Sequence, residues 1–478
     1  MPAQLTTREQ VNGYRFLLHR FDHALVRRDV RMLHDPMRIQ FRSFITGLVL
    51  AVLVTGGCAV LAFLHPQGQV GQSKIIMTSD SGALYVNVDN TLHPALNLTS
   101  ARLITGSNQK PASVAGSKLA GLPRGPLLGI PGVPAALPGP ADHQNSEWTL
   151  CDDVSSAGVK TTVLSGTPQL GAAIGEAGAG DALLVSDGTA TYLLYDGKRA
   201  QVNMNDTAVV TALGLRGLQP RQISDGLLNS TVAVPNLAAP AIPLAGAPSS
   251  IRRANVPVGT VIRVENIGGA TLFVVLSDGI QKLSPFAAQV LRTAGSMGQN
   301  DLTTVPPDAI AGVPVVNHLA VDQFPTQQPH ILTADDQPVS CANWARGQHD
   351  PVAHLRLLVG RQVPLAASMH PVALVDGGRG RSADSVYIPP STGEYVQVTD
   401  IAPDSARREV LFYITDTGVR FGIPDAATAA TLGLTDPKLA PWQIVSKLPA
   451  GPMLDREAAL VAHDTLDSSP TDSPPGKR

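Results

Sequence analysis

This chain has little of what marks an enzyme or a nucleic-acid binder. Its 36 Lys and Arg against 38 Asp and Glu leave a net charge of -2, so no global attraction to a polyanion follows. A phosphate loop requires G-x-x-x-x-G-K-[ST], with backbone amides around the phosphates and the Lys on their charge. The nearest stretch, DVSSAGVKT at 153–161, has Asp153 where the first Gly belongs and Val159 between Gly158 and Lys160. Residues 171–180 are glycine-rich but are not followed by a Lys. No G-x-S-x-G elbow is present, since Gly295-Ser296-Met297-Gly298 lacks the spacing. The His residues are scattered without H-E-x-x-H or a Cys/His cluster, which argues against zinc. No catalytic residue, metal site or cofactor is expected. The acidic pairs Asp152-Asp153 and Asp335-Asp336 each lie near a cysteine and could meet as a calcium site or carboxylate pair. Solvated loop acids are the simpler reading.

Aromatics make up 4% of the chain, whereas Gly (44) and Pro (39) are abundant, so many short elements joined by turns are expected rather than long helices. Cysteine is scarce too: Cys58, Cys151 and Cys341 are all there is.

One long apolar run stands out, SFITGLVLAVLVTGGCAVLAFL at 43–64, without a charge. Roughly 22 residues at ~1.5 Å each give ~33 Å of helix, enough for a ~30 Å hydrocarbon core. Eight arginines against four acids precede it, so the positive-inside bias puts the N-terminus in the cytoplasm and the rest outside. A cleaved signal peptide has a shorter apolar segment and a small-residue cleavage site; FLHP at 63–66 offers none. A retained, single-pass anchor is the reading. Within it Thr55, Cys58, Ala59 and Ala62 share one small-residue face that could meet a neighbouring helix, or arise by chance in an Ala/Gly-rich run. Cys151 and Cys341 are then the two exterior cysteines and are expected to pair, closing a loop of roughly 190 residues worth about 5 kcal/mol in chain entropy. Two buried thiols are the alternative.

Ahead of the anchor, TREQ at 7–10 fits a capping box. Val11, Tyr14, Leu18, Phe21 and Leu25 then alternate at three and four, with Leu17 and Val26 widening the stripe. Asp35-Pro36 interrupts this amphipathic helix before the membrane. So short an arm has no core of its own. Its stripe is expected to bury against a partner protein, with the anionic membrane surface as the alternative.

Beyond the anchor one pattern recurs: an apolar strand, a Ser/Thr-Asp turn followed by Gly, and a second strand. It appears as IIMTSDSGALYV (75–86), LLVSDG (183–188) with TYLL (191–194), LFVVLSDGI (272–280) and LFYITDTGV (411–419). Asp80, Gly82, Asp187, Gly188, Asp278, Gly279, Asp416 and Gly418 are turn formers, the Asp bonding its own backbone and the Gly taking positive φ. Three copies continue into Ala/Leu-rich helices at 206–213, 284–291 and 425–432, and then into a Pro with a short amphipathic segment on which Trp442 reads as core, with a partner or glycan contact as the alternative. The uneven spacing excludes a solenoid. The surplus, holding the β-branched segments 161–164 and 355–359, is expected to form a central domain clamped by the disulfide.

The expected organisation is α+β: a single-pass membrane protein with four small hairpin-plus-helix repeats around a central β-rich domain. By residue, it runs as cytoplasmic arm 1–42, transmembrane helix 43–64, repeat one 65–125, central domain 126–180, repeat two 181–250, repeat three 251–330, central domain 331–405, repeat four 406–462, and disordered tail 463–478. Proline-rich 129–140 and 235–248 read as extended connectors.

The opening LTTREQVNGYRFLLHRFDHALVRRDVRMLHDP, the anchor followed by HPQG, then LHP with NLTSARL, and near the end GVRFGIPDAATAATLGL and APWQIVSKLPAGPML resemble the EccB family of type VII (ESX) secretion machines. The resemblance covers all but the tail. It implies residence in the inner membrane with a periplasmic C-terminal region, and assembly with EccC-, EccD- and EccE-like subunits into a ring-like multimer; no nucleic-acid partner is expected, from the charge balance above. The family has been described as an ATPase, yet no phosphate loop is present and the outside of an inner membrane normally lacks ATP. A non-catalytic assembly subunit is therefore expected. The alternatives are hydrolysis at a non-Walker site and a cell-wall anchor, the latter because the family's repeats look similar to peptidoglycan-binding modules.

Overall fold

The computed structural model describes residues 7–31, 36–64, 73–155, 158–251, 255–266, 269–295, 302–375, 377 and 382–466. The HPQG stretch at 65–68 and Gly295's partners at 296–298 lie outside these residues, as does most of the expected tail. The chain forms two compact units, residues 1–72 with 113–119, and residues 73–112 with 120–478.

In the first unit, α1 (Arg8–Arg27) starts at a complete capping box: the Gln10 amide donates to Thr7 Oγ1 at 3.4 Å and the Thr7 amide to Gln10 Oε1 at 3.1 Å. The helix ends where Arg28 turns left-handed at φ 52°. The second helix, α2 (Pro36–Leu64), contains an apolar stretch, Gln40–Leu61, long enough to cross a membrane. It begins seven residues ahead of the expected boundary at 43. Pro36 occupies the first turn, where its missing N–H costs nothing, so it starts this helix; it does not interrupt α1 as expected, because the left-handed Arg28 has already ended that helix eight residues earlier.

The second unit carries small sheets of one topology. Ile75–Thr78, Leu84–Val88 and Thr91–Pro94 form an antiparallel meander followed by the helix Leu98–Thr105. In the next sheet Asp181–Ser186, Thr191–Tyr195 and Lys198–Gln201 precede the helix Thr207–Leu213, and Arg221–Gln222 returns parallel to the first strand. Val261–Asn266, Gly269–Val275, Ile280–Leu283, the helix Pro285–Ala294 and Thr303–Val305 repeat that order. So do Gly393–Thr399, Leu411–Thr415, Arg420–Ile423, the helix Ala426–Leu432 and Lys438–Pro441. Side chains of Asn97, Asp206, Ser284 and Asp425 cap the four helices.

Two expectations change here. The unit is a three-stranded meander plus helix, not a hairpin plus helix. The turns that share the Ser/Thr-Asp signature are also not equivalent: those at Asp80 and Asp187 join first and second strands, those at Asp278 and Asp416 second and third. Any tight antiparallel connection selects these residues, so the signature marks a turn and not its place. Moreover Gly82, Gly188 and Gly418 have positive φ, at 70°, 89° and 85°, whereas Gly279 does not. Gly279 is needed for closeness: a Cβ there would lie 2.4 Å from the Pro314 carbonyl.

Pro314 belongs to a return segment, and each sheet has one along its outer strand. Parallel bridges join Leu92 to Arg124, Val202 to Leu237, Ile280 to Val315 and Arg420 to Ala450. These cover an edge that would otherwise present unpaired N–H and C=O groups.

A seven-stranded sheet lies between the small ones in sequence, in the order Val372–Ala373, Ser385–Tyr387, Lys160–Ser165, Asn145–Asp153, Val339–Gly347, His354–Gly360, Ile174–Glu176. It draws strands from both insertions. Cys151 faces Cys341 across adjacent strands and the two are disulfide-bonded. Domain limits shift accordingly. Gly393–Thr399, expected in the central domain, is the first strand of the last small sheet. Residues 124–128 close the first sheet, and Ala462–His463, the expected end of repeat four and the first residue of the expected tail, pairs with Leu127–Leu128. Strand pairing across long separations decides these limits, and no local pattern reports it.

The cores follow the same grouping. The helices Leu98–Thr105 and Ala426–Leu432 share one apolar cluster, and Thr207–Leu213 and Pro285–Ala294 share another. Arg102 donates from Nη1 to the Leu432 carbonyl at 2.9 Å, capping the partner helix. Trp148, Leu150, Trp344 and Leu357 on one face of the large sheet join Val185 and Val396 from two small sheets and Ile444 from the short helix Trp442–Val445.

Candidate functional site

The chain presents surfaces and buried polar seams. On α1, Val11, Tyr14, Leu18, Phe21 and Leu25 are all exposed, from 40% at Val11 to 78% at Leu25, and their spacing puts them on one side. Leu17 and Val26 flank them, also exposed. A continuous apolar stripe in water is unfavourable, at about 25 cal/mol per Å².

In α2, Thr55, Cys58 and Ala59 are exposed, while the Ala62 side chain lies outside the described residues. The Thr55 hydroxyl donates to the Ala51 carbonyl at 2.6 Å, so its polarity is satisfied within its own helix. That leaves a small, smooth face.

Asp80 lies in the turn where the Gly82 amide donates to the Thr78 carbonyl. Asp187 Oδ1 accepts from the Ala190 amide and from the Thr189 hydroxyl and amide, which hold its carboxyl below the usual range. Asp278 accepts from His318 at 2.8 Å, and Asp416 from the Ser391 amide at 2.9 Å.

Asp153 accepts from the Ser155 amide, and Asp336 meets Arg361 through its carbonyl. Asp152 is not a solvated loop acid: it is fully buried, accepting from the Ser224 amide (2.6 Å), the Ser224 hydroxyl (2.9 Å) and the Thr161 hydroxyl (2.8 Å). The alternation of its strand puts it on the face opposite Cys151, and that strand is buried on both faces. Among the described residues no group of three His, Cys, Asp or Glu could hold a metal. Lys160 and Thr161 open a strand paired with Asn145–Asp153, so the nearest approach to a phosphate loop leads into a hairpin and not into a helix N-terminus.

Trp442, expected in the core, is 38% exposed and stacks on Phe412, with Arg420 5.1 Å from its ring centroid. Its helix, Trp442–Val445, buries Ile444 and Val445 instead.

A second polar seam was not evident from sequence. Lys438 Nζ lies 2.7 Å from Glu394 Oε2 and donates to the Asp142 and Asn145 carbonyls, tying the last small sheet to the large one. One overlooked motif is legible in retrospect: LPRGPLL at 122–128 and LPAGPML at 448–454 are the return segments of the first and last sheets. Their glycines sit against rings, Gly125 against His93 and Gly451 against Phe421.

Residues 3–468 match the sequence model of the family described as type VII secretion system ESX-1, transport TM domain B. The ESX-3 secretion system ATPase EccB3 of Mycolicibacterium smegmatis is 41% identical, over 97% of this chain and 92% of that protein. The ESX-5 secretion system ATPase EccB5 of Mycobacterium tuberculosis is 39% identical over 97% and 94%. Among solved structures, a chain of an intact ESX-5 inner membrane complex superposes with a TM-score of 0.76 at 37% identity, covering 99% of both chains. The EccB3 dimer from the ESX-3 core complex gives 0.72 at 37%, covering 81% of this chain and all of that one. A match that runs from the arm through the apolar helix to the last small sheet leaves one assignment: this chain belongs to the EccB family of type VII secretion systems.

Proposed function

We propose that this chain is a non-catalytic assembly subunit of a type VII protein-export complex in the inner membrane. The observation that carries the reading is the end-to-end similarity to a chain of the ESX-5 inner membrane complex. In this reading α2 crosses the membrane once with the N-terminus cytoplasmic, as the arginine excess ahead of it favours. The stripe of Val11, Tyr14, Leu18, Phe21 and Leu25 docks on EccC-, EccD- or EccE-like subunits, and the Thr55, Cys58, Ala59 and Ala62 face meets a neighbouring helix. The four small sheets act as repeats around the central sheet and carry self-association into a ring-like multimer. Tagged chain extracted from its membranes should bring down those subunits in fixed proportion; recovery of the chain alone would contradict the proposal.

A second reading is favoured by the names of the relatives, which are called ATPases. Hydrolysis would then need a non-Walker site. Purified full-length chain should release no phosphate from ATP beyond its buffer. Activity that survives repeated purification and disappears on mutation of one cavity would establish the ATPase reading instead.

A further inference from the structure

A cavity of about 220 Å³ opens where the large sheet meets the last small sheet, with Arg346, Arg408, Lys438, Asp436 and His143 in its walls. Lys438 is neutralised by Glu394 at 2.7 Å. Arg346 donates only to backbone carbonyls, from Nε to Asp350 at 3.2 Å and from Nη2 to Pro351 at 3.0 Å. Arg408 likewise donates from Nη1 to the Ser405 and Arg407 carbonyls, at 3.2 and 2.6 Å. Carbonyls orient a guanidinium without cancelling its charge; the carboxylates beside the two guanidinium groups are that of Asp436 in the wall and that of Asp350, whose Oδ2 accepts from the lining Gly347 amide at 2.9 Å.

Four separate segments bring these groups together: the lead-in to Asn145–Asp153, the end of Val339–Gly347, the loop before Leu411–Thr415, and the start of Lys438–Pro441. Their backbone bonds hold both forks in place before any ligand arrives, which lowers the ordering cost of binding. Arg346 retains Nη1, and Arg408 retains Nε and Nη2, for a further acceptor. Guanidinium forks match planar or tetrahedral oxyanions, and the volume is below that of pockets for drug-sized ligands. The geometry points to this cavity as a binding site for a small oxyanion, a phosphate or carboxylate group displayed by a partner molecule.

The test follows the unfolding midpoint of the full chain in detergent against inorganic phosphate or acetate, with ionic strength held constant by sodium chloride. A saturable rise is expected with at least one probe, and the apparent affinity should fall about tenfold in Arg346→Gln and in Arg408→Gln. Arg407→Gln is the control, since Arg407 lies near Asp400 and Glu409, at 3.8 and 3.9 Å, and it should leave the affinity unchanged. A response to phosphate alone identifies a phosphate-bearing partner, and a response to acetate identifies a carboxylate. No rise with either probe, or equal losses in the Arg407 and Arg408 variants, would overturn the assignment. Arg408 is exposed, so its variant should fold even where that at Arg346 does not.

Discussion

Asp152 lies near the end of a central strand with no surface in water. Burial, only partly offset by the Ser224 and Thr161 hydrogen bonds, pushes its carboxyl up to about 6. In the unfolded chain it ionises near 3.9, so between about pH 4 and 6 the native state holds a proton that the unfolded state has released. The stabilisation from that proton is complete below about pH 4 and is lost as pH rises through 6, an effect of roughly 3 kcal/mol. Asp152→Asn should flatten this part of a stability-versus-pH curve; an unchanged slope would place the titration elsewhere. Glu394 is also pushed upward by burial, against the pull of Lys438. Lys438→Met strands that carboxylate and should cost about 3 kcal/mol by denaturant unfolding, with Lys438→Met/Glu394→Met recovering most of the loss. An equal cost in the double variant would refute the pairing. Neither site was legible in sequence, because the partners stand 72 and 44 residues apart.

Elements were more legible than their neighbours. The caps at Thr7, Asp206, Ser284 and Asp425 follow from local hydrogen bonding, as do left-handed ends at Gly214 and Gly433. The strands around each Ser/Thr-Asp turn are also local. The sheet position of each turn, the third strand and the return segments depend on partners far along the chain. The return segments rest on close packing: a Cβ at Gly451 would come within 2.4 Å of the Phe421 ring. Gly451→Ala should therefore destabilise the fold by about 1–3 kcal/mol, read as a lower thermal midpoint. An unaltered midpoint would mean the segment does not pack on Phe421.

For the whole molecule, composition and the apolar run located one membrane-length helix and a β-rich, turn-rich body, and the motif set pointed to the family. What composition could not convey is how the small sheets pair, first with last and second with third, through their helices. That pairing explains why sequence-distant segments such as LPRGPLL and LPAGPML are alike: they occupy the same place in paired sheets. It also explains the domain limits, since a body closed by its first and last segments cannot be cut at composition changes.

The central claim is that the chain works by holding other subunits, with α1 as the docking element. Complexes extracted in detergent from cells carrying wild type, Leu18→Asp or Phe21→Asp can be compared on a native gel. Both residues are exposed, at 47% and 67%, so neither change disturbs a core. The account predicts that the large assembly is lost or reduced in both variants while the chain stays in the membrane. An assembly of undiminished size and amount would contradict it.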